Sequence, residues 1–545
     1  MDIGPFRARE TVLQGCDGTV YHSRQLRRLT PYRATFGYDV LVRVGYALFT
    51  HCHSEQTIME DLARDNVVIS QREIGFLGKK FIAYLAIAHR QSRHRLKQVM
   101  AQRGGYILHL DGTCEGDSPH LFTGMDGIAQ IVLDNIKLPS EKAELLIPFF
   151  QQIKWQYGDP VALVHDMGRG ILSAVQAVFQ GIPDFICHFH FLRDIGKDLF
   201  DKEYAIIRNR LKKHKIRTVL RQRARALEKV IGNDPQAFSR LAVNIDGDKL
   251  QAMEKMAPMA AYAMIHWVFD KSELEGYGFP FDCPHLVFYQ KLTVLHDMVQ
   301  AQFGKNTNKA FSKLWRPLTR VVEDPQLKRA ASQMDKKVKV FSKLRYALSI
   351  AVVQSNKGLN DDGQQASIKS IEKEVRKFRQ ELLSENAPRK DDYKNMIKQI
   401  DKYWDKLFAD PIVVNTPTGQ LTIQPQRTNN ILERFFRDLK RSNRKKSGTV
   451  SLNRTLRSML ADTPLVKNLD KPNYLEIILD GCSTLAERFE KIDSRMVLEK
   501  LEAEKKNNER ISPEVKKIIR RPDLPERIAT LLHACNTDTN RYLLS

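Results

Sequence analysis

Apolar positions change period several times along the chain, and each change predicts a different kind of element. From Ser54, Ile58 and Leu62 fall four apart, Asp65-Asn66 interrupts the pattern, and Ser70 offers a cap to a second stretch running from about Gln71 to Ala86. A serine whose hydroxyl accepts a first-turn N–H starts a helix. Two short helices joined by a turn have the outline of a helix-turn-helix, with Arg72, Lys79 and Lys80 available to phosphates or base edges. An ordinary packed helix pair has the same pattern. From Tyr106 the apolar runs shorten: Ile107 to Leu110 lead into Asp111-Gly112, and a run from Leu121 meets another across Asp126-Gly127, a hairpin signal. Then come a helical stretch over 140–157, the run 161–164 ending at His165-Asp166, a helix from about 168 to 179, and Phe185-Ile186-Cys187-His188 feeding another helix. Strands alternating with helices predict an α/β layer.

Residues 199–410 read as almost wholly helical. Within them Ile368, Ile371, Val375, Phe378 and Leu382 recur in alternating steps of three and four until Pro388, a seam for packing a second helix. Extended structure returns at Ile412-Val413-Val414 and Leu421-Thr422-Ile423. Thr428 then offers an N-cap to a helix whose stripe is Ile431, Phe435 and Leu439, flanked by Leu432 and Phe436. Glu433 stands at the start of that helix beside the stripe. The pattern divides the chain into a helical N-terminal region (1–104), an α/β part (105–198), a helical insertion (199–410), a return to the α/β part (411–465) and a charged helical tail (466–545), read as a packing or oligomerisation appendage.

Charge sharpens the picture. The 545 residues include 87 Lys and Arg against 64 Asp and Glu, a formal net charge of +23, which calls for a polyanionic partner. Nine of the cations fall between Arg208 and Arg225 with no acidic residue among them, including Arg208, Arg210, Lys212, Lys213 and Arg217. So one-sided a run predicts a phosphate-tracking surface rather than a merely solvated face. At 42% hydrophobic residues the composition is that of a globular protein. No apolar run has membrane-spanning length, and Met1-Asp2-Ile3-Gly4-Pro5 opens no secretory signal. The seven cysteines form no CxxC pair, so neither a disulfide framework nor a four-cysteine zinc module is expected, and a reducing compartment fits.

Three acidic residues mark the candidate chemistry. Asp111 closes the first strand, Asp166 closes a later one and Glu433 begins a helix. Carboxylates held together repel one another and are relieved by divalent cations with hard oxygen ligands. Two such ions can polarise a scissile phosphate without a covalent nucleophile. The string Leu110-Asp111-Gly112-Thr113, then Asp166 followed by Gly168, Ile171, Ala174, Val175 and Phe179, then Ile182-Pro183 and Cys187-His188-Phe189-His190-Phe191, resembles a DDE transposase of the mutator-like superfamily and its bacterial insertion-sequence relatives. Cys187 and His190 match that superfamily's C-x-x-H signature, and Thr428 to Lys440 is similar to its third motif.

The resemblance implies an α/β RNase H-like core, a mixed sheet with flanking helices, carried by 105–198 and 411–465 and interrupted by the all-helical 199–410. The helix-turn-helix-like DNA-binding region read from the pattern would precede the core, and the helical tail would follow it. The implied activity is metal-dependent cleavage at transposon ends, followed by transfer of the exposed 3′-hydroxyls into target DNA. Asp111, Asp166 and Glu433 would be catalytic and hold two Mg²⁺ (or Mn²⁺) ions. Double-stranded DNA, both element ends and target, would be the partner, bound by a homodimer or higher assembly. Neither a membrane nor ATP is needed, and no G-x-x-x-x-G-K-[ST] loop occurs. An intracellular, DNA-associated location is expected, a bacterial cytoplasm before a nucleus. The chain departs from many relatives at its N-terminus, where Cys16 and His51-Cys52-His53 do not supply a zinc module's spacing.

Lys440 lies two turns from Glu433 on the same helix face and is the expected phosphate contact, extended by Arg437, Arg441, Arg444 and Lys445. Cys187 and His190 offer two ligands where zinc needs four, so a buried structural pair is weighed against a second metal site. Two rival functions remain open. His188-Phe189-His190, if extended, would place two imidazoles on one face for a tyrosine nuclease, with Tyr204 nearby. A catalytically silent, transposase-derived DNA-binding protein would keep the basic surfaces without cutting.

Overall fold

The computed structural model describes residues 8–32, 34–232, 237–246, 255–302, 309–350, 367–384, 390–507 and 513–531. The opening stretch 1–5, Pro388 and Cys535 lie outside them. The chain divides into two compact units. The first takes Met1–Pro160, Ser173–Gln180 and Ile431–Ser545, and the second takes Val161–Leu172 and Gly181–Asn430.

The fold is mixed α/β and mostly helical. A short antiparallel pair, β1 (Leu13–Gln14) and β2 (Val20–Tyr21), stands apart. The main sheet has five strands: β3 (Ile107–Thr113), β4 (His120–Asp126), β5 (Ile131–Leu138), β6 (Ala162–His165) and β7 (Asp184–Ile186). Their order is β5-β4-β3-β6-β7. β3, β4 and β5 form an antiparallel meander, and β6 pairs with β7 in parallel. The parallel pair needs a crossover, supplied by the helix Arg169–Val178. Asp126-Gly127 does turn the chain, between β4 and β5. Asp111-Gly112 does not, because β3 continues to Thr113.

One face of the meander is apolar. Leu108, Leu110 and Phe122 are fully buried there, beside the helix Ala143–Tyr157. Gly124 has no side chain because a Cβ would stand 2.7 Å from Ile153 Cδ1. Phe122 meets Phe149 and Phe150 at ring-centroid distances of 6.1 and 5.8 Å.

The N-terminal helices start where their serines predict: Ser54 Oγ accepts from Thr57 N–H at 3.1 Å and Ser70 Oγ from Glu73 N–H at 3.2 Å. The resulting helices are Glu55–Arg64 and Gln71–Gln91. The second is not a surface recognition helix along its length. From Lys80 to His89 every residue is buried, and only Gln71, Arg72, Phe76 and Lys79 of its earlier turns are exposed. It is packed against the helices Tyr38–Phe49, Leu485–Glu490 and Ser494–Asn507. The segment expected as a terminal appendage therefore supplies much of the first unit's core. Phe489, fully buried, stacks on Tyr84 at 5.1 Å, and Tyr474, also fully buried, donates to His89 Nδ1 at 2.9 Å.

In the second unit every regular element described between 199 and 407 is helical. The expected seam holds: Ile368, Ile371, Val375 and Phe378 are buried on the helix Ile368–Leu383, which packs on Pro325–Ala347 and Lys390–Lys402. The extended runs after 411 become β8 (Ile412–Thr416) and β9 (Gly419–Ile423), an antiparallel hairpin of their own. They add no strand to the main sheet. Among the described residues no helix is long and apolar enough to cross a membrane.

Candidate functional site

Asp111 is the fifth of seven residues in β3, the middle strand of the sheet, and is 5% exposed. Strand alternation puts it on the face opposite Leu108 and Leu110. Directly across the ladder stands Thr123, and across from Thr123 stands Asn135. Thr123 Oγ1 donates to Asn135 Oδ1 at 2.9 Å, and Asp111 Oδ1 accepts from Gly112 N–H at 2.8 Å. The three make a buried polar row through a face where apolar residues would be expected. A side chain at 112 would stand 3.0 Å from Phe122 Cδ2 and displace the Glu141 carboxylate, so the glycine beside Asp111 keeps this approach open. The register irregularity at Gly124/Met125 hid this row from sequence reading, because counting back from the Asp126-Gly127 turn misaligns the strands.

In the second unit, Asp166 directly follows β6 and is half-buried. Its Oδ1 accepts from Gly168 N–H at 2.9 Å, a turn that launches the helix Arg169–Val178. Cys187 is 1% exposed and caps the helix His188–Lys213. Its N–H donates to His165 O at 2.8 Å, and its sulfur accepts from Asn429 N–H at 3.2 Å. His188 N–H donates to Arg427 O at 2.9 Å. The approach to the helix Asn430–Ser447 is thus tied to the end of the strand that Asp166 follows. Thr428 and Asn429 are fully buried, and the helix begins at Asn430, two residues past the expected cap.

This geometry settles two expectations about the histidines. His188 and His190 lie on a helix, where residues two apart point some 200° from each other, so they share no face. His188 Nε2 donates to Leu407 O at 2.6 Å, and burial pushes its imidazole pKa down to about 3. His190 is half-buried. Tyr204 stacks on Phe279 at 4.3 Å, and burial pushes its phenol up to about 12, away from the ionisation a nucleophile needs. Cys187 acts as a structural joint.

Glu433 is half-buried in the first turn of Asn430–Ser447. Ile431, Leu432, Phe435, Phe436 and Leu439 are all buried, as their spacing predicts. Lys440 Nζ lies 3.9 Å from Glu115 Oε1, a residue that sequence reading did not single out. Glu115, four residues beyond Asp111, also accepts from Asn453 N–H at 2.9 Å and from Ser451 Oγ at 3.3 Å. The Asn453 N–H, assisted by Lys440, holds its carboxyl below the usual range. Asp117 takes Asn453 Nδ2 and Arg457 at 2.8 Å each. The loop leaving β3 is therefore docked on Lys440 and the helix Leu452–Ser458. Two other acidic residues near these elements are engaged elsewhere: Asp126 pairs with Arg103, and Asp438 lies 3.9 Å from Arg441.

The basic surfaces divide. Arg437, Lys440, Arg441, Arg444 and Lys445 are all exposed. The run 208–225 is two helices, because Lys215 takes a left-handed conformation (φ 52°) between His188–Lys213 and Ile216–Ile231. Arg210 pairs with Asp324, which also binds His214 at 2.7 Å. Burial favours the protonated Asp324, but hydrogen bonds from His214 and Arg210 outweigh it and hold the carboxyl at about 2. Arg217 lies 3.9 Å from the Phe288 ring centroid. Arg210 and Arg217 are thus partly buried and engaged within the insertion, whereas Arg208, Lys212 and Lys213 are exposed.

Among the described residues no three His, Cys, Asp or Glu side chains form a group that could hold a metal ion. The donor chemistry of Asp111, Asp166 and Glu433, all hard carboxylate oxygens, suits Mg²⁺ or Mn²⁺. No protein-family model matches the chain, and no curated protein matches it.

Proposed function

We propose that the chain is a DDE-type transposase with an RNase H-like core, a metal-dependent enzyme that cleaves double-stranded DNA at element ends and transfers the exposed 3′-hydroxyls into target DNA. The observation that carries this reading is the Cys187 joint, which ties the segment entering the Glu433 helix to the end of the strand before Asp166. Such a joint has a use if the helix and the strand end belong to one functional site. The Lys440–Glu115 contact gives the same helix a hold on the loop just beyond Asp111.

On this reading Asp111, Asp166 and Glu433 hold two Mg²⁺ or Mn²⁺ ions, and the bound ions supply the charge that lets an oxygen attack phosphorus and the 3′ oxygen leave. The residues themselves position. Asp111 projects from a rigid strand with one oxygen oriented by the Gly112 N–H, and Asp166 is oriented likewise by Gly168. Lys440, exposed on the Glu433 helix, exchanges Glu115 for a DNA phosphate, and Arg437, Arg441, Arg444 and Lys445 extend the track along the backbone. A homodimer or larger assembly brings two ends together.

The test is nicking of supercoiled plasmid in Mg²⁺ or Mn²⁺ by the full chain. Asp111→Asn, Asp166→Asn and Glu433→Gln are expected to lower cleavage about 1,000-fold or more, several kcal/mol of lost transition-state stabilisation. The same variants should lose the rise in melting temperature that Mn²⁺ gives the parent chain. Cleavage retained in Asp166→Asn overturns the assignment. Salt-dependent DNA binding with no metal-dependent nicking by the parent chain would favour the silent DNA-binding reading instead.

A further inference from the structure

Two adjoining concavities lie in the first unit, beside the early turns of the Gln71–Gln91 helix. One, of about 470 Å³, has Phe49, Leu439 and Val466 in its wall. The other, of about 550 Å³, has Leu498 and Leu501. Each is of ordinary ligand-pocket size, roughly 300 to 1,000 Å³. Phe76, Lys79, Ser458 and Leu460 line both, so together they form one groove with an aromatic ring and an ammonium at its waist.

Phe76 is 41% exposed, and its ring is held from below: Lys80, only 7% exposed, sets its ammonium 4.5 Å from the ring centroid. A ring fixed in this way is a rigid platform. Cations surround it. Arg72, Lys446 and Lys467 line the first concavity and Lys505 the second, against the acids Glu55 and Glu502. Among the described residues no carboxylate forms an ion pair with Arg72, Lys79, Lys467 or Lys505. Nearby Lys137 is pushed down to about 8, mainly by burial, with Glu504 opposing the shift and Lys79 adding to it.

A bare anion would engage the ammonium groups and leave the ring and apolar walls unused. An acidic peptide's carboxylates would meet the cations, but only a peptide that also placed an aromatic side chain at the waist would use the ring. A duplex is too wide for concavities of this size. A single nucleic-acid strand uses everything present, with bases stacked on the aromatic face and phosphates on the rim cations. We propose that this groove binds unpaired nucleotides of a DNA strand, stacking a base on Phe76 and holding the adjoining phosphates with Lys79, Arg72 and Lys467. The choice of DNA rests on the function proposed above; the single-strand character rests on the groove.

The experiment measures fluorescence anisotropy of labelled dT12, alone or annealed to dA12, with the full chain in EDTA so that no cleavage intervenes. Phe76→Ala is expected to weaken dT12 binding about 5- to 150-fold, the worth of one stacked base, while duplex affinity moves less than twofold. Phe76→Trp should restore it. Lys79→Gln and Lys467→Gln should each reduce the slope of log affinity against log salt by about 0.7. If Phe76→Ala does not fold, the tryptophan and glutamine variants decide. Unchanged dT12 affinity in Phe76→Ala, an equal loss on duplex, or displacement of dT12 by polyglutamate as readily as by unlabelled strand overturns the proposal. A chain that binds dT12 through Phe76 but nicks nothing loses only the proposed activity, and a chain that nicks but ignores Phe76 loses only the groove.

Discussion

His89 illustrates chemistry at the scale of one residue. Leu133 O can only accept, so Nε2 carries the proton and donates to it at 2.8 Å, leaving Nδ1 to accept from Tyr474 Oη at 2.9 Å. The neutral tautomer is fully used, and burial pushes the pKa down to about 4. His188 is similarly depressed, to about 3, first by burial and then by Arg427. A depressed imidazole favours the native state while it is neutral, so its contribution is complete above about pH 6.5 and is lost as pH falls from there through the native value. Asp324, held at about 2, loses its contribution only at lower pH. Stability should therefore fall steadily between pH 6.5 and 4, by up to about 1.4 kcal/mol per pH unit for each buried histidine, and the melting temperature with it. His89→Gln should remove roughly half of that slope; an unaltered slope would mean that His89 does not titrate as its burial requires. Nothing in the residue type announces this behaviour. His89 becomes a buried hydrogen-bond hub only because Leu133, Tyr157 and Tyr474 reach it from distant parts of the chain.

At the scale of elements, the crossing of Tyr38–Phe49 with Gln71–Gln91 depends on two glycines. A Cβ on Gly45 would enter the Phe81 ring, and one on Gly78 would stand 2.6 Å from Leu48 Cδ1. Phe81 cannot retreat, being fully buried between Phe49 and Phe489. Alanine in a helix interior favours the helix by about 1 kcal/mol over glycine, whereas overpacking a rigid core costs about 1 to 3 kcal/mol. The second term wins when the obstructing ring is fixed, so Gly45→Ala is expected to lower stability by about 1 to 2 kcal/mol in urea unfolding; a stabilised variant would show that the helices can separate. Helix starts at Ser54 and Ser70 and the stripe Ile431–Phe435–Leu439 were legible because each is a local signal of period or cap. The membership of β8 and β9 in a separate hairpin was not, since a strand's partner is chosen by the sheet and not by its own pattern.

Across the whole molecule, the first unit is assembled from segments hundreds of residues apart. Asp462, 1% exposed, binds Arg90 at 2.9 Å and Lys500 at 2.5 Å, while Arg90 also meets Asp134 at 3.2 Å. Asn468 completes the edge of β5 with two bonds of 2.8 Å to the backbone of Val132. Removing one partner of a buried ion pair leaves charge uncompensated and costs about 3 to 5 kcal/mol. Asp462→Ala should lower the melting temperature accordingly, with Arg90 and Lys500 both losing their carboxylate. A loss within measurement error would return the C-terminal helices to the status of an appendage.

The sequence by itself determined the helix starts at Ser54 and Ser70, the helical character of the regular elements described between 199 and 407, the apolar stripes and the strongly positive charge, because periods, caps and composition are properties of neighbouring residues. Only the tertiary structure decided which carboxylate and cation partners are engaged: Glu115 beside Lys440, Asp324 clamping Arg210 and His214, Asp462 between Arg90 and Lys500. It also decided that the Gln71–Gln91 helix is mostly interior, and that Thr123 and Asn135 share a face with Asp111. Burial and register depend on what the rest of the chain places opposite a residue, and here those opposing groups come from segments as much as 462 positions away, as with Tyr32 and Ser494.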